Sequence, residues 1–496
     1  MWNRLNSSMM LCQMMFGMSF YGVMVVLTRF FLEDLGYSEA DTMMVVGAFS
    51  AIGPLFAIAG GFITDKFLGA YRSLTLAFLC FAAGYTMLVL GATLLNVPLS
   101  LAGIALASYA RGLMFPSYSP LFKRTFASEE AFEKGYAVNY SINNIGAFLS
   151  QYLFPLIVLI IGFSGSFILC SIMAVLAFVL MLITRKPLLE VSSEIDRLAV
   201  SNKNWLLFTI SSAAMIGLVF FMFTNMEVGK NIVYVIGLGA IGYFISLMIK
   251  AERHESMKMG AILIMVLLTI AFFVYYGQMM TSMTLVTINI MRGDLFGIIP
   301  IAPEASMAMN PMWCMVAGPL LALVFSALEK RNIHFTIATK VGFAFIFTAI
   351  AFGILTLAVM TVGTDVVIRP EVFLAIHFFL ALAEVIVGSM VVAFILSVAP
   401  KRIEAFSVSL FSVAMALSGV VGAVISTTIA VEKGQEITQD LVQNLYGDYF
   451  LLLTIMAVVM VGVAFAASRL IKKMIGNDDD PSQGMPTEDK AVAAVG

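Results

Sequence analysis

The chain is predicted to be an all-α polytopic membrane protein, and three observations predict it. Hydrophobic residues fill 61% of its 496 positions and charged residues only 12%. Mean hydropathy is +0.98. The apolar residues fall in long stretches with short gaps between them. A bilayer core about 30 Å thick needs roughly 20 apolar residues per helix, and the chain supplies such a stretch fourteen times.

The first six spans lie near 9–32, 42–64, 73–95, 98–120, 135–160 and 163–184. The first is too long for a signal-peptide core and no small-residue cleavage site follows it, so it reads as an uncleaved helix. A charged, Ser-containing linker from Arg185 to Lys203 closes this group. Two shorter spans follow, 204–225 and 230–250, joined by an outer turn between Asn225 and Asn231. A second charged segment, Lys250 to Lys258, precedes spans near 259–289, 308–328, 338–362, 371–398, 403–430 and 448–472. The tail carries Asp478, Asp479, Asp480, Pro481 and Pro486 and reads as disordered. The organisation is therefore an N-terminal six-helix bundle (1–190), a linker with two inserted helices (191–255), a C-terminal six-helix bundle (256–475) and a cytoplasmic tail (476–496). Two six-helix halves are the layout of the major facilitator fold, in which the substrate site lies between the halves near the midplane.

Orientation follows from the basic residues. With the N-terminus inside, 22 of the 28 Lys and Arg fall on inner segments; the exceptions are Arg29, Arg111, Lys230, Arg292, Arg369 and Lys433. That bias predicts both termini inside and an even number of spans. A net charge of −2 with the cations in short loops gives no footprint for nucleic acid. Cys12, Cys80, Cys170 and Cys314 all lie within spans and read as small core residues rather than disulfide partners. Three separated histidines, His254, His334 and His377, offer no metal site, and the 35 Met and 41 Phe have no His or Cys clustering beside them. No Walker loop, H-E-x-x-H, G-x-S-x-G or C-x-x-C occurs, so neither an enzyme nor an ATP-driven pump is expected, and no cofactor.

The loop between the second and third spans runs from Gly60-Gly61 through Asp65 and Lys66 to Arg72. Paired glycines let helices approach closely. Gly61, Asp65, Lys66 and Arg72 are expected to form an inner gate loop, with Asp65 and the cations capping helix ends.

From this loop outward the chain resembles the proton-coupled oligopeptide transporter family over nearly its whole length, the two inserted helices included. Four segments carry the likeness: Tyr21-Gly22 with Leu35-Gly36-Tyr37-Ser38 and the Gly60 to Arg72 loop; Asn144-Ile145-Gly146-Ala147; Gln278 with Leu295-Phe296-Gly297 and Asn310-Pro311; and Ala383-Glu384, ending in Val398-Ala399-Pro400-Lys401-Arg402. The departures are equally specific. Where the family has E-x-x-E-R-F in its first helix, this chain reads Gln13, Met14, Met15, Phe16, Gly17 and Met18. Pro54 stands at a usual tyrosine, and Phe115 at the lysine of K-P-N.

An ionisable side chain within a span costs about 2.5–3.5 kcal/mol on insertion scales and is a functional candidate by default. Glu384 is the clearest, and the resemblance places it near a substrate amino group. His377 lies seven residues earlier, about 10 Å along the axis, so substrate or water could bridge the two; both are proton-coupling candidates. Arg111 is the candidate cation, although its side chain should lean toward the helix N-terminus and away from position 115. Arg29 is expected to snorkel or pair with an outer acid. Gln13, Tyr21 and Gln278 are candidate cavity residues from the residues themselves; Asn144 and Asn310 are so by resemblance. The expected function is secondary active transport of di- or tripeptides or peptide-like small molecules across a bacterial inner membrane, coupled to protons through Glu384. The expected working unit is a monomer in the lipid bilayer. Two rivals are a non-peptide carrier on the same scaffold, importing or exporting a siderophore-like or amine metabolite, and a non-transporting membrane receptor or sensor.

Overall fold

Residues 3–476 are described in the computed structural model; the expected tail, with Lys490, lies outside them. Among the described residues, thirteen helical stretches are long and apolar enough to cross a membrane. The longest, 50 residues from Lys134 to Ile183, is two helices joined at a kink, because Gly162 sits at φ +71° and interrupts the helical backbone. A side chain there would be strained, and only glycine adopts this left-handed conformation freely. The fourteen expected spans are thus present, and an even number of crossings returns the chain to the face where it began.

In chain order the helices are α1 (Arg4–Arg29), α2 (Glu39–Ile63), α3 (Ala70–Leu94), α4 (Val97–Lys123) and α5 (Glu129–Ile183), then the short α6 (Arg185–Val191) and α7 (Glu194–Arg197). The inserted pair is α8 (Asn202–Thr224) and α9 (Met226–Lys250). There follow α10 (Arg253–Gly277), α11 (Ser282–Ile290), α12 (Met309–Glu329), α13 (Ile337–Met360), α14 (Pro370–Val385), α15 (Val391–Val398), α16 (Glu404–Ser426), α17 (Gln439–Leu441) and α18 (Gly447–Ile475). A two-stranded hairpin, Asp294–Leu295 with Ile299–Pro300, and a 3-10 helix, Pro303–Ala308, lie between α11 and α12.

Helices α1–α5 pack on one another around one apolar core, with Phe20, Phe49, Phe81 and Tyr85 fully buried at its centre. Helices α10–α18 surround a second, centred on Phe272, Phe345, Phe352 and Phe450. The two groups meet chiefly through α2 on α16 and α5 on α12, while α8 packs on α4 and α9 on α16. Bundles in lipid are held by close packing and interhelical hydrogen bonds. Gly60 illustrates the first: a side chain on it would run into the backbone of Gly112.

Two expected spans are not single helices. The 259–289 stretch breaks between α10 and α11, where Gln278 organises a turn. Its Oε1 accepts from the hydroxyls of Ser282 (2.6 Å), Ser426 (2.9 Å) and Tyr449 (2.6 Å), and its Nε2 donates to the Val274 (3.0 Å) and Gly422 (3.4 Å) carbonyls. The 371–398 stretch passes through a π-helical turn, Ile386–Met390, immediately after Glu384. Such single-turn π segments recur at functional sites.

The face bearing the chain ends also carries the Gly60 to Arg72 loop. Asp65 is not a cap: it falls in a π-helical continuation of α2, Thr64–Leu68, and is exposed, as is Lys66. The chain turns instead at Gly69 (φ +81°), and the buried Asp196 of α7 accepts the Tyr71 N–H at 2.9 Å. Arg72 donates to the Leu68 (3.1 Å), Ile195 (3.1 Å) and Leu198 (2.6 Å) carbonyls. The linker is therefore fastened onto the loop between α2 and α3.

Candidate functional site

A cavity of about 320 Å³ opens between the two groups of helices. Its wall from α1–α5 carries Tyr21, Arg111 and Tyr140; its opposite wall carries Tyr276 and Glu384. Tyr21 and Tyr276 stand within electrostatic range of both Arg111 and Glu384.

Arg111 is placed by three contacts. Its Nη1 donates to the Ser50 carbonyl at 3.0 Å. Its guanidinium lies 4.5 Å from the Phe20 ring centroid and 5.2 Å from that of Phe115. Room for the aliphatic stem exists because residue 53 is glycine: a Cβ there would stand 2.6 Å from Arg111 Cδ. Cation–π contacts of this kind contribute about 0.5–2 kcal/mol each, well short of the several kcal/mol that desolvating a charge costs. Nε has no hydrogen-bond partner, and no carboxylate pairs with the guanidinium among the described residues. The Phe115 contact was not expected, because Arg111 should reach away from position 115. Phe115 itself leans toward the N-terminus of α4, as helical side chains do, and so covers the guanidinium one turn earlier.

Glu384 is held loosely. The Tyr276 hydroxyl donates to Oε1 at 3.3 Å and the Cys314 thiol to Oε2 at 3.4 Å; Asn310 adjoins the same carboxylate. The tyrosine bond is long for an O–H donor on a carboxylate, and acceptor capacity remains toward the cavity. Cys314, read from sequence only as a small core residue, is thus a donor to the acid.

Beyond Glu384 the cavity continues into a narrow recess between α5 and α12, lined by Asn144, Gln151, Asn310 and Met307 among others. Tyr21, Tyr276, Met280 and Glu384 line both spaces. Asn144 donates to the Tyr140 carbonyl at 2.9 Å.

The other expected site residues fall elsewhere. Gln278 is fully buried in the turn described above, without a face on the cavity. Gln13 donates to Asn143 Oδ1 at 3.2 Å and joins α1 to α5. His377 is buried, its Nδ1 has no partner, and it lines neither cavity nor recess. Gly17 packs against α5 so closely that a Cβ would meet the Asn143 carbonyl oxygen at 2.8 Å.

The face opposite the chain ends is tied shut across the two groups. Arg29 Nη1 bonds the fully buried Glu304 Oε1 at 2.9 Å, while its Nε and Nη2 grip Glu33 at 2.7 and 3.0 Å. Glu39, at the start of α2, accepts from Asn289 Nδ2 at 3.1 Å and from the Val431 N–H at 2.6 Å. The Tyr152 hydroxyl reaches the Pro300 carbonyl at 3.0 Å. Arg29 thus pairs with an acid on this face, as expected. Glu39, Glu304 and Gln151 were not singled out from sequence. The first two are acids at span edges, which the positive-charge count ignores; Gln151 is one amide among many.

The Major Facilitator Superfamily model matches residues 9–337. A dipeptide and tripeptide permease B of Aeromonas hydrophila is 24% identical over 448 residues, covering 89% of this chain and 88% of the relative. A permease of the same name from Salmonella typhimurium is 24% identical over 84% of each chain. Among solved structures, a bacterial homologue of the human drug peptide transporters PepT1 and PepT2 superposes with a TM-score of 0.83 at 22% identity, over 95% of this chain and 98% of that one. A POT family transporter in complex with 5-aminolevulinic acid superposes with a TM-score of 0.81 at 18% identity, over 94% and 96%. These relatives are permeases and transporters rather than enzymes. The chain belongs to the Major Facilitator Superfamily.

Proposed function

We propose that this protein carries di- and tripeptides, or small molecules with the same charged ends, across the bacterial inner membrane by alternating access. The observation that carries the reading is the pair Arg111 and Glu384. One comes from each group of helices, both line one cavity, and neither has an ion partner among the described residues. Uncompensated opposite charges inside a span are costly unless a ligand completes them. A zwitterion does so, with its carboxylate on Arg111 and its ammonium on Glu384. Tyr21, Asn144 and Asn310 are positioned to bond the groups between.

In this reading the two six-helix bundles rock about the cavity. The bonds of Arg29 and Glu39 close the far face, while the exposed Phe115 and Tyr140 mark the access side. The basic-residue bias assigns the access side, with both chain ends, to the cytoplasm. Protons couple through Glu384, which must lose its charge to release an ammonium cheaply, and the single chain is the transport unit.

A second reading has one observation in its favour. The relative crystallised with 5-aminolevulinic acid holds a compound with an amine at one end and a carboxylate at the other. The same two residues would suit an amine metabolite of that kind. Uptake of labelled alanyl-alanine into proteoliposomes tests the peptide reading. Saturable uptake, blocked by excess dipeptide and left intact by 5-aminolevulinic acid, is expected; block by the metabolite with no dipeptide uptake would favour the second reading. Binding of either without flux would favour the receptor.

A further inference from the structure

The recess beyond Glu384 carries chemistry that the zwitterion reading leaves unused. Its volume is about 30 Å³, room for roughly two water-sized groups. One polar atom on its walls is without a partner: Gln151 Oε1. Gln151 is more than nine-tenths buried, at 3% exposure. The Asn310 amide, by contrast, is directed to the Glu384 carboxylate. A buried acceptor left without a donor is costly. Met279, Met307 and Pro311 on the facing walls carry no side-chain donor.

We propose that this recess is the subsite for the side chain of the substrate's N-terminal residue, and that Gln151 makes it prefer a short hydroxyl-bearing side chain, seryl above all. The inference rests on the reading that Glu384 holds the substrate ammonium. Glu384 lines both cavity and recess, so the side chain on the carbon bearing the ammonium is the one that reaches the recess. A hydroxymethyl group has two heavy atoms and fits the volume. Its hydroxyl has one hydrogen to donate, so it satisfies Gln151 Oε1. A methyl group does not.

Competition binding to the purified full chain tests this with three dipeptides: seryl-alanine, alanyl-alanine and O-methylseryl-alanine. Seryl-alanine is expected to bind about fivefold tighter than alanyl-alanine, as one net hydrogen bond implies. The methyl ether cannot donate to Gln151 and should lose that gain. In Gln151→Leu the ratio of seryl-alanine to alanyl-alanine affinity should fall to about one. Equal affinities for the two in the unmodified protein, or a ratio that survives Gln151→Leu, would overturn the proposal. If that variant does not fold, the methyl ether decides on the unmodified protein: a retained advantage overturns it. Alanyl-alanine binding without a seryl preference sinks this inference alone. Failure of every dipeptide to bind sinks the zwitterion reading with it.

Discussion

Arg29 and Glu304, 275 residues apart in sequence, are joined by a 2.9 Å bond that crosses from α1 to the 3-10 helix before α12. Glu304 is fully buried, and its second oxygen has no partner. Removing one member of a buried pair typically costs 3–5 kcal/mol, because the other charge stays behind. Glu304→Gln keeps the shape and removes the charge. We expect it to shift the protein toward the state open on that face, seen as a longer distance between spin labels at Asp34 and Phe296. Unchanged distances would mean that the Glu39 bonds alone hold the face closed.

Arg111→Lys should weaken dipeptide binding by about 10- to 100-fold, the scale of a charge-assisted bond. A lysine keeps the charge, but its ammonium cannot lie flat between Phe20 and Phe115 while bonding Ser50. Dipeptide amides, which lack the carboxylate, should bind both forms equally. Calorimetry with the two ligand sets separates a lost carboxylate contact from a damaged cavity.

Glu384→Gln should abolish uptake driven by a pH gradient, while His377→Gln should leave it intact, since His377 lines neither cavity nor recess. Proteoliposomes with an imposed gradient provide the measurement. Gradient-driven uptake in the double variant would remove both residues from the coupling scheme.

Topology is checked by labelling single cysteines. Replacements at Lys203, in the first turn of α8, and Glu227, in the first turn of α9, both exposed, should react from opposite sides of the membrane, with Lys203→Cys reached from the cytoplasm. The reverse pattern would invert the orientation.

The fold was legible because membrane helices announce themselves by length alone; no long-range contact had to be known. Glu384 and Arg111 were legible for the same reason, as charges in apolar runs. What sequence could not convey is pairing across distance. Nothing near Asp196 marks it as the acceptor for Tyr71, 125 residues away. Gln278 reads as a polar group for the cavity, yet its amide is consumed by hydroxyls of Ser426 and Tyr449 from two later helices. The break after Gly277 was hidden because its cause is that same set of partners, while the local residues read as continuous helix. The contact between Arg111 and Phe115 was missed because the phenylalanine's own lean toward the arginine was left out.

Gly17 decides what the first helix can carry. The resemblance sets an arginine at this position, whereas here α5 has closed against the bare backbone, with the Asn143 carbonyl where a Cβ would begin. An arginine there would force α1 and α5 apart along an extensive shared seam. Sterics thereby bar a charge from this point of α1, and Glu384, facing the cavity from the other group of helices, has no counterpart there.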